Sequence, residues 1–239
     1  MLKKILAYLK KQSFKPDYLS IFINPFYFIR RELYRSIKKN SPSLTGRLMD
    51  FGAGRKPYRS LFQVAEYVGV DMAKTGHDHS HSEVDVFYDG VSLPFENGHF
   101  DSILCTEVIE HVFDPEKVLP ELLRVLKSGG KLLLTVPFCW NEHEIPFDYA
   151  RYSSFGIIHL LEKHGFAIIK ADKSGNFCKV IVQLWALYFH MIFKKWGKFG
   201  YAISLIFIAP INLLSALLLP LFPVDKSLYF NIIILAEKP

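Results

Sequence analysis

"RLMDFGAGRKPY", residues 47–58, reads as a short apolar strand running into a glycine turn. Gly52 and Gly54 let the backbone turn tightly and approach a ligand closely, which a Cβ would obstruct. A dinucleotide-binding turn needs a third glycine for helix packing, and Pro57 stands there instead. No Gly-Lys-Ser/Thr follows, so the turn is not a P-loop either. It is a turn for a ligand with no pyrophosphate to cradle.

Moving outward, "YVGVDM" supplies a second strand that ends in Asp71. A carboxylate at a strand tip accepts hydrogen bonds in pairs, which suits the two hydroxyls of a ribose. In "YDGVSLPFENGHFD", Asp89 follows a third strand, at a position to accept from an adenine amino group. From residue 44 onward, short β-branched runs alternate with helical stretches, the pattern of a mostly parallel α/β sheet. The expected strands are 47–51, 67–71, 84–88, 100–105, 131–136, 166–171 and 229–236. The clearest expected helix is 114–130, with Val118, Leu122, Val125 and Leu126 on one face and Gly129-Gly130 as its stop.

Half of the 239 residues are hydrophobic and 15% are aromatic, which points to an apolar partner. The net charge of +6 is uneven, because residues 1–40 carry ten Lys/Arg against Asp17 and Glu32. A basic arm on a near-neutral body suits an anionic membrane or nucleic acid. Cys105, Cys139 and Cys178 form no CxxC pair, which fits a reducing compartment. Lys10, Lys11 and Lys15 interrupt the apolar residues near the start, which argues against a secretory signal.

The order G-x-G, strand-end Asp71, D-G-x-x-L-P-F, E-V-I-E-H and R-V-L-K-S-G-G resembles the class I S-adenosylmethionine (SAM)-dependent methyltransferases. Within that class it resembles the broad branch of the ubiquinone and menaquinone enzymes, over about residues 44–175 plus the last strand. The resemblance implies a Rossmann-like sheet of seven strands with helices on both faces, and SAM as the cofactor. It places Asp50, Gly52, Ala53 and Gly54 along the methionine part of SAM. Asp71 holds the ribose with Met72 beside it, Asp89 and Gly90 read the adenine, and Thr106 and Glu107 lie under the sulfonium. The chain departs from the family in two places. The helix between the second and third strands is short or missing, and about fifty apolar residues interrupt the last two strands.

"TEVIEH" puts Glu107, Glu110 and His111 one helical turn apart. His111 is the natural general base for an O–H acceptor, with Glu107 and His143 completing the catalytic set. The same residues, Glu107, Glu110, His111 and His143, resemble the divalent-metal site of the ubiquinone O-methyltransferases and of the plant small-RNA 2′-O-methyltransferase. Capping and acid/base roles without metal are the preferred reading. Asp148, Arg151 and Tyr152 in "HEIPFDYARY" contact substrate or lock a lid through an Asp–Arg pair. His77, His79 and His81 read as a solvated loop rather than a metal site.

Residues 200–222 contain no charge and would span roughly 34 Å as a helix. Pro210 and Asn212 are expected to break that helix, and the preceding apolar run, 180–193, is too short to cross a bilayer. Both ends return to one sheet, so a re-entrant or in-plane hairpin is expected. The chain thus reads as a basic amphipathic arm (1–43), a SAM-binding core (44–178), an apolar helical insertion (179–228) and the last strand of the core (229–239). The function expected is methylation, O-methylation above N or C, of an amphipathic or lipid-linked acceptor at the cytoplasmic face of a membrane. A SAM-binding adaptor without activity, or an RNA methyltransferase that uses the basic arm, are the alternatives; the apolar insertion argues against nucleic acid.

Overall fold

A computed structural model describes residues 8, 11–72 and 83–239. The histidines at 77, 79 and 81, and the expected loss of the helix after the second strand, fall outside the described residues. The chain divides into two compact units, Ile37–Asp172 with Asn231–Pro239, and Met1–Ser36 with Lys173–Phe230.

The sheet consists of β1 (Arg47–Phe51), β2 (Glu66–Met72), β3 (Val86–Tyr88), β4 (Phe100–Thr106), β5 (Leu126–Pro137), β6 (Ala167–Lys173) and β7 (Asn231–Glu237). Their order is β3-β2-β1-β4-β5-β7-β6. β1 pairs in parallel with β2 and β4, and β7 runs antiparallel to β5. This is the mixed, seven-stranded, Rossmann-like sheet expected. Leu48 and Met49 of β1, Ile103 and Leu104 of β4, and Leu132, Leu133 and Leu134 of β5 are fully buried. Such continuous apolar runs mark strands covered on both faces.

The helix expected over 114–130 is shorter. Pro115–Val125 is helical and buries Val118, Leu119, Leu122 and Val125. Leu126 then pairs with Phe100 in the sheet, while the Gly129 N–H donates to the Lys238 carbonyl and the Lys238 N–H donates to that of Gly130. The ladder gives these backbone groups partners that a longer helix would take from it, so strand wins over helix from Leu126 onward. A further helix, Ser154–Lys163, starts with Ser153 accepting from the Gly156 N–H and precedes β6.

The other unit contains one turn of helix, Ser20–Ile23, the start of Tyr27–Asn40, and two long helices, Phe177–Lys194 and Gly197–Leu218. Taking all helices in chain order, these are α1, α2, α5 and α6, with Pro115–Val125 as α3 and Ser154–Lys163 as α4. Two expectations are corrected here. α5 has 18 residues, roughly 27 Å, so it is longer than the apolar run that marks it. α6 continues through Pro210 without a break. Asn212 is fully buried and donates to the carbonyls of Ile21 and Asn24, so it serves the fold rather than ending the helix.

α5 and α6 form a hairpin in which Phe207 stacks against Phe189 and Phe193. At Gly200 a Cβ would overlap the Phe193 carbonyl, so the tight turn demands glycine. One side of the hairpin is polar and occupied. The Gln183 amide accepts from the Phe28 and Ile29 N–H groups at 3.0 and 3.3 Å and donates to the Pro25 carbonyl at 2.6 Å. It thereby supplies partners to the first turn of α2, whose amides have none within the helix. Lys179 pairs with Glu32 at 2.8 Å on the same segment. The other side is apolar and open, with Trp185 at 63% and Leu221 at 77% exposure, and Ile206, Leu214 and Leu217 also exposed.

Gln183→Met preserves bulk but leaves two buried N–H groups and one carbonyl without their partner. It should destabilise the protein by roughly 2–4 kcal/mol, read as a lower midpoint of denaturant unfolding in mild detergent.

Candidate active site

In this strand order, the connections from β1 and β4 leave in opposite directions, and a crevice opens at the carboxyl ends of the two strands. The glycine turn follows β1. The Gly52 and Ala53 N–H groups both donate to the Val70 carbonyl of β2. Gly52 has a φ of +76°, and a Cβ there would overlap Val108; Gly54, at +48°, has nothing within 4 Å of where a Cβ would stand. Open space therefore lies in front of Gly54, the space a ligand can use.

Asp71 joins this turn directly. Its Oδ2 accepts from the Gly54 N–H at 3.0 Å and its Oδ1 from the Met72 N–H at 2.8 Å. Asp50 lies beneath, 3% exposed, accepting from the Tyr67 hydroxyl at 2.6 Å. Burial raises the Asp50 carboxyl to about 7, Tyr67 and Lys56 pull it back in part, and Asp71 adds to the rise. Met72 sits against Gly90, where a Cβ would meet its methyl group. Asp89 is exposed, and its Oδ1 accepts from the Val91 and Ser92 N–H groups, so this carboxylate also fixes a turn.

Thr106 ends β4. Glu107 follows with a φ of +54°, a conformation that a side chain rarely adopts. Its carboxylate accepts from Thr135 Oγ1 and from Asn231 Nδ2, each at 2.7 Å. That pinning separates Glu107 from Glu110 and His111, because residues 109–111 form a 3-10 turn and not the α-helical turn expected. Among the described residues, the group whose donor atoms lie within 4.8 Å of one another is Glu110, His111 and His143.

The tautomers in this group follow from the partners. His111 Nδ1 is 2.8 Å from the Phe147 carbonyl, so Nδ1 carries the proton and Nε2 presents a lone pair. His143 Nδ1 lies 3.2 Å from the Asp148 carboxylate, which again favours a proton on Nδ1. The two Nε2 atoms then face each other at 3.2 Å with lone pairs converging. A proton or a cation between them satisfies both. Glu110 is completely buried, and neither carboxylate oxygen has a partner among the described residues. Burial, with Glu107 adding, pushes its carboxyl well up, so without a cation it is a neutral acid. Burial and His111 together lower His143. One carboxylate and two imidazoles are a donor set that divalent cations accept.

The lid over this group is locked. Arg151 holds Asp148 through two 2.6 Å bonds, and the Glu110 carbonyl accepts from the Tyr149 and Ala150 N–H groups. Burial alone would raise Asp148, but Arg151 and the His143 N–H outweigh it and hold the carboxyl at about 2. The locking role of the Asp–Arg pair is thus the one observed.

Sequence reasoning passed over Tyr67, Lys56, Thr135 and Asn231. Lys56 reaches across Gly69, where a Cβ would collide with it, to pair with Asp85 at 2.5 Å. The only signal for Tyr67 and Gly69 is register: Asp50 lies opposite Gly69 and Leu48 opposite Tyr67, on one face. Asn231 is distant in sequence and reaches the site because β7 pairs it with Pro137.

Residues 49–134 match the family model described as a methyltransferase domain. A ubiquinone biosynthesis O-methyltransferase of Rhodopseudomonas palustris is 27% identical over 197 residues, covering 69% of this chain and 77% of that protein. A demethylmenaquinone methyltransferase of Renibacterium salmoninarum is 33% identical over 94 residues, covering 37% and 40%. Among solved structures, phosphoethanolamine N-methyltransferase 2 of Haemonchus contortus with bound SAM shares the fold, with a TM-score of 0.54 at 22% identity, over 93% of this chain and 56% of that one. The chain belongs to the class I SAM-dependent methyltransferases.

The Asp50 carboxyl, near 7 when folded against about 4 unfolded, makes the folded state bind more protons between those values. Its contribution to stability is complete below about pH 4 and is lost as the pH rises through 7. Asp50→Asn should flatten that decline, so unfolding free energies of variant and wild type should diverge in the variant's favour between pH 4 and 8.

Proposed function

We propose that the protein transfers the SAM methyl group to an oxygen nucleophile of an amphipathic or lipid-linked acceptor, at the cytoplasmic face of a membrane. The observation that carries this reading is one chain that combines the methyltransferase crevice with a helical hairpin whose outer side is apolar and exposed. The two helices are long and apolar enough to cross a bilayer by length and composition. A monotopic or in-plane seat also fits, because the polar face of the hairpin is already occupied by the chain's own N-terminal segment. The ubiquinone O-methyltransferase relative supports oxygen as the acceptor atom.

In this reading Asp71 accepts the ribose hydroxyls while its backbone bonds keep the glycine turn in place. The Asp50 carboxylate favours the cationic half of SAM. Glu107, held by Thr135 and Asn231, fixes the floor below the sulfonium. The acceptor oxygen attacks the methyl carbon in line, the carbon–sulfur bond breaks with its electron pair returning to sulfur, and the acceptor proton passes to His111 Nε2. Alignment of the two reactants supplies most of the rate. Glu110 and His143 then orient His111.

The convergent Nε2 atoms and the unpartnered Glu110 carboxylate favour a second reading. Glu110, His111 and His143 would hold a divalent cation that lowers the pKa of an acceptor hydroxyl. Labelled SAM incubated with the full chain in detergent and fractionated lipids tests both readings. A labelled lipid product, formed equally with and without chelator, supports the metal-free reading; loss with chelator and recovery with a divalent cation supports the second. No labelled lipid overturns the lipid acceptor.

Asp71→Ala should weaken SAM binding by roughly 1.5–3 kcal/mol, the scale of hydrogen bonds to a charged group; unchanged affinity in calorimetry removes Asp71 from the site. Because apolar insertion is not screened by salt whereas basic contacts are, high salt should leave the protein on membranes and detergent should release it. A protein that stays in the soluble fraction at low salt rules out the membrane seat.

A further inference from the structure

We propose that the hairpin unit holds a binding site for a single phospholipid, gripping its anionic phosphate headgroup in a cavity at the α5–α6 turn. This goes beyond the methyl acceptor and does not depend on its identity. The cavity measures about 520 Å³, and Asn24, Phe26, His190, Lys194, Lys198 and Tyr201 are among the residues that line it. No carboxylate lines it.

His190 is the residue that asks for a ligand. It is 7% exposed, and its Nδ1 has no hydrogen-bond partner among the described residues. A buried polar atom in that state is costly unless something supplies the bond. Phe26 and Tyr201 meet the imidazole edge-on at 5.4 and 5.9 Å, and the Tyr201 hydroxyl is engaged by the Ile23 carbonyl. The ring is thus held while its Nδ1 lacks a bond. Burial and Lys194 lower its pKa, so it meets a ligand as a neutral imidazole, able to donate from one nitrogen.

Charge at the cavity has one sign. Lys194 and Lys198 both line it, and α6 begins there at Gly197 with no side chain capping it and no acidic residue in its first turn. The N-terminal amides and dipole of this 22-residue helix favour an anion. Two ammonium groups, a helix start and an imidazole donor together suit a phosphate. The volume is within the roughly 300–1,000 Å³ usual for small-molecule sites and exceeds what a bare phosphate fills. Ile23, Pro25 and Phe26 give the cavity apolar wall, and Trp196 and Phe199, beside the lysines in sequence, are exposed. A phosphate that continues into acyl chains uses both features; a free phosphate uses only the first.

Calorimetry on the full chain in mild detergent, titrated with dihexanoyl phosphatidic acid, inorganic phosphate and dihexanoylglycerol, tests the assignment. The phosphatidic acid should bind with a single saturable stoichiometry, and the other two much more weakly. His190→Phe, which keeps a ring and leaves the neutral-state charge unchanged, should weaken binding by about tenfold, the scale of one hydrogen bond to a charged group. Lys194→Ala/Lys198→Ala should abolish it, with the thermal midpoint of each variant confirming the fold. Inorganic phosphate binding as tightly as the lipid would make this a free-anion site. Absence of saturable binding, or wild-type affinity in both variants, would overturn the proposal.

Discussion

β1 is held between β2 and β4 with Asp50 opposite Gly69 on one side and Leu104 on the other, and the rest of the crevice follows from that register. It brings the glycine turn against Val70, whose carbonyl takes two of the turn's N–H groups. It places Gly54 within a hydrogen bond of Asp71. It also sets Tyr67 on the Asp50 face, where the phenol meets the buried carboxylate. A slip of one residue would turn every side chain of β1 to the opposite face and dissolve all three relations at once.

Acidic groups gather where these strands end. Asp50, Asp71, Glu107 and Glu110 are carried by segments at the carboxyl ends of β1, β2 and β4, and three of the four are under a tenth exposed. Each is stabilised differently: Asp50 by a phenol, Asp71 by two amides, Glu107 by a hydroxyl and an amide side chain, while Glu110 is held without a printed side-chain partner. Like charges so placed raise one another's pKa values, and a cationic ligand relieves the repulsion. SAM carries a sulfonium and an ammonium, so the acid-rich floor and the cofactor class agree chemically.

Much of this was legible in the sequence. The G-x-G turn, the strand-end Asp71 and the sheet class depend on local pattern, and local pattern is what a single sequence displays. What was hidden depends on partners far along the chain. Asn231 meets Glu107 through a strand pairing that no spacing announces, and Lys56 reaches Asp85 only because position 69 has no side chain. The end of α3 was misplaced for the same reason: Gly129 and Gly130 look like a helix stop, but their hydrogen bonds go to Lys238. Pro210 and Asn212 look like helix breakers, yet Asn212 has carbonyl partners near residue 21 that the sequence does not reveal.

The antiparallel strand β7 follows the apolar hairpin in chain order, and this has a consequence for biosynthesis. Until residues 231–237 leave the ribosome, one edge of β5 has no neighbour and Glu107 lacks the amide of Asn231. During that interval the nascent chain presents an apolar unpaired strand edge, the kind that recruits other strands. The hairpin is already outside the tunnel by then, or passing through its mouth. Translation therefore delivers the greasy segment first and closes the catalytic sheet afterwards, so a finished crevice exists only on chains whose hairpin has already met its surroundings.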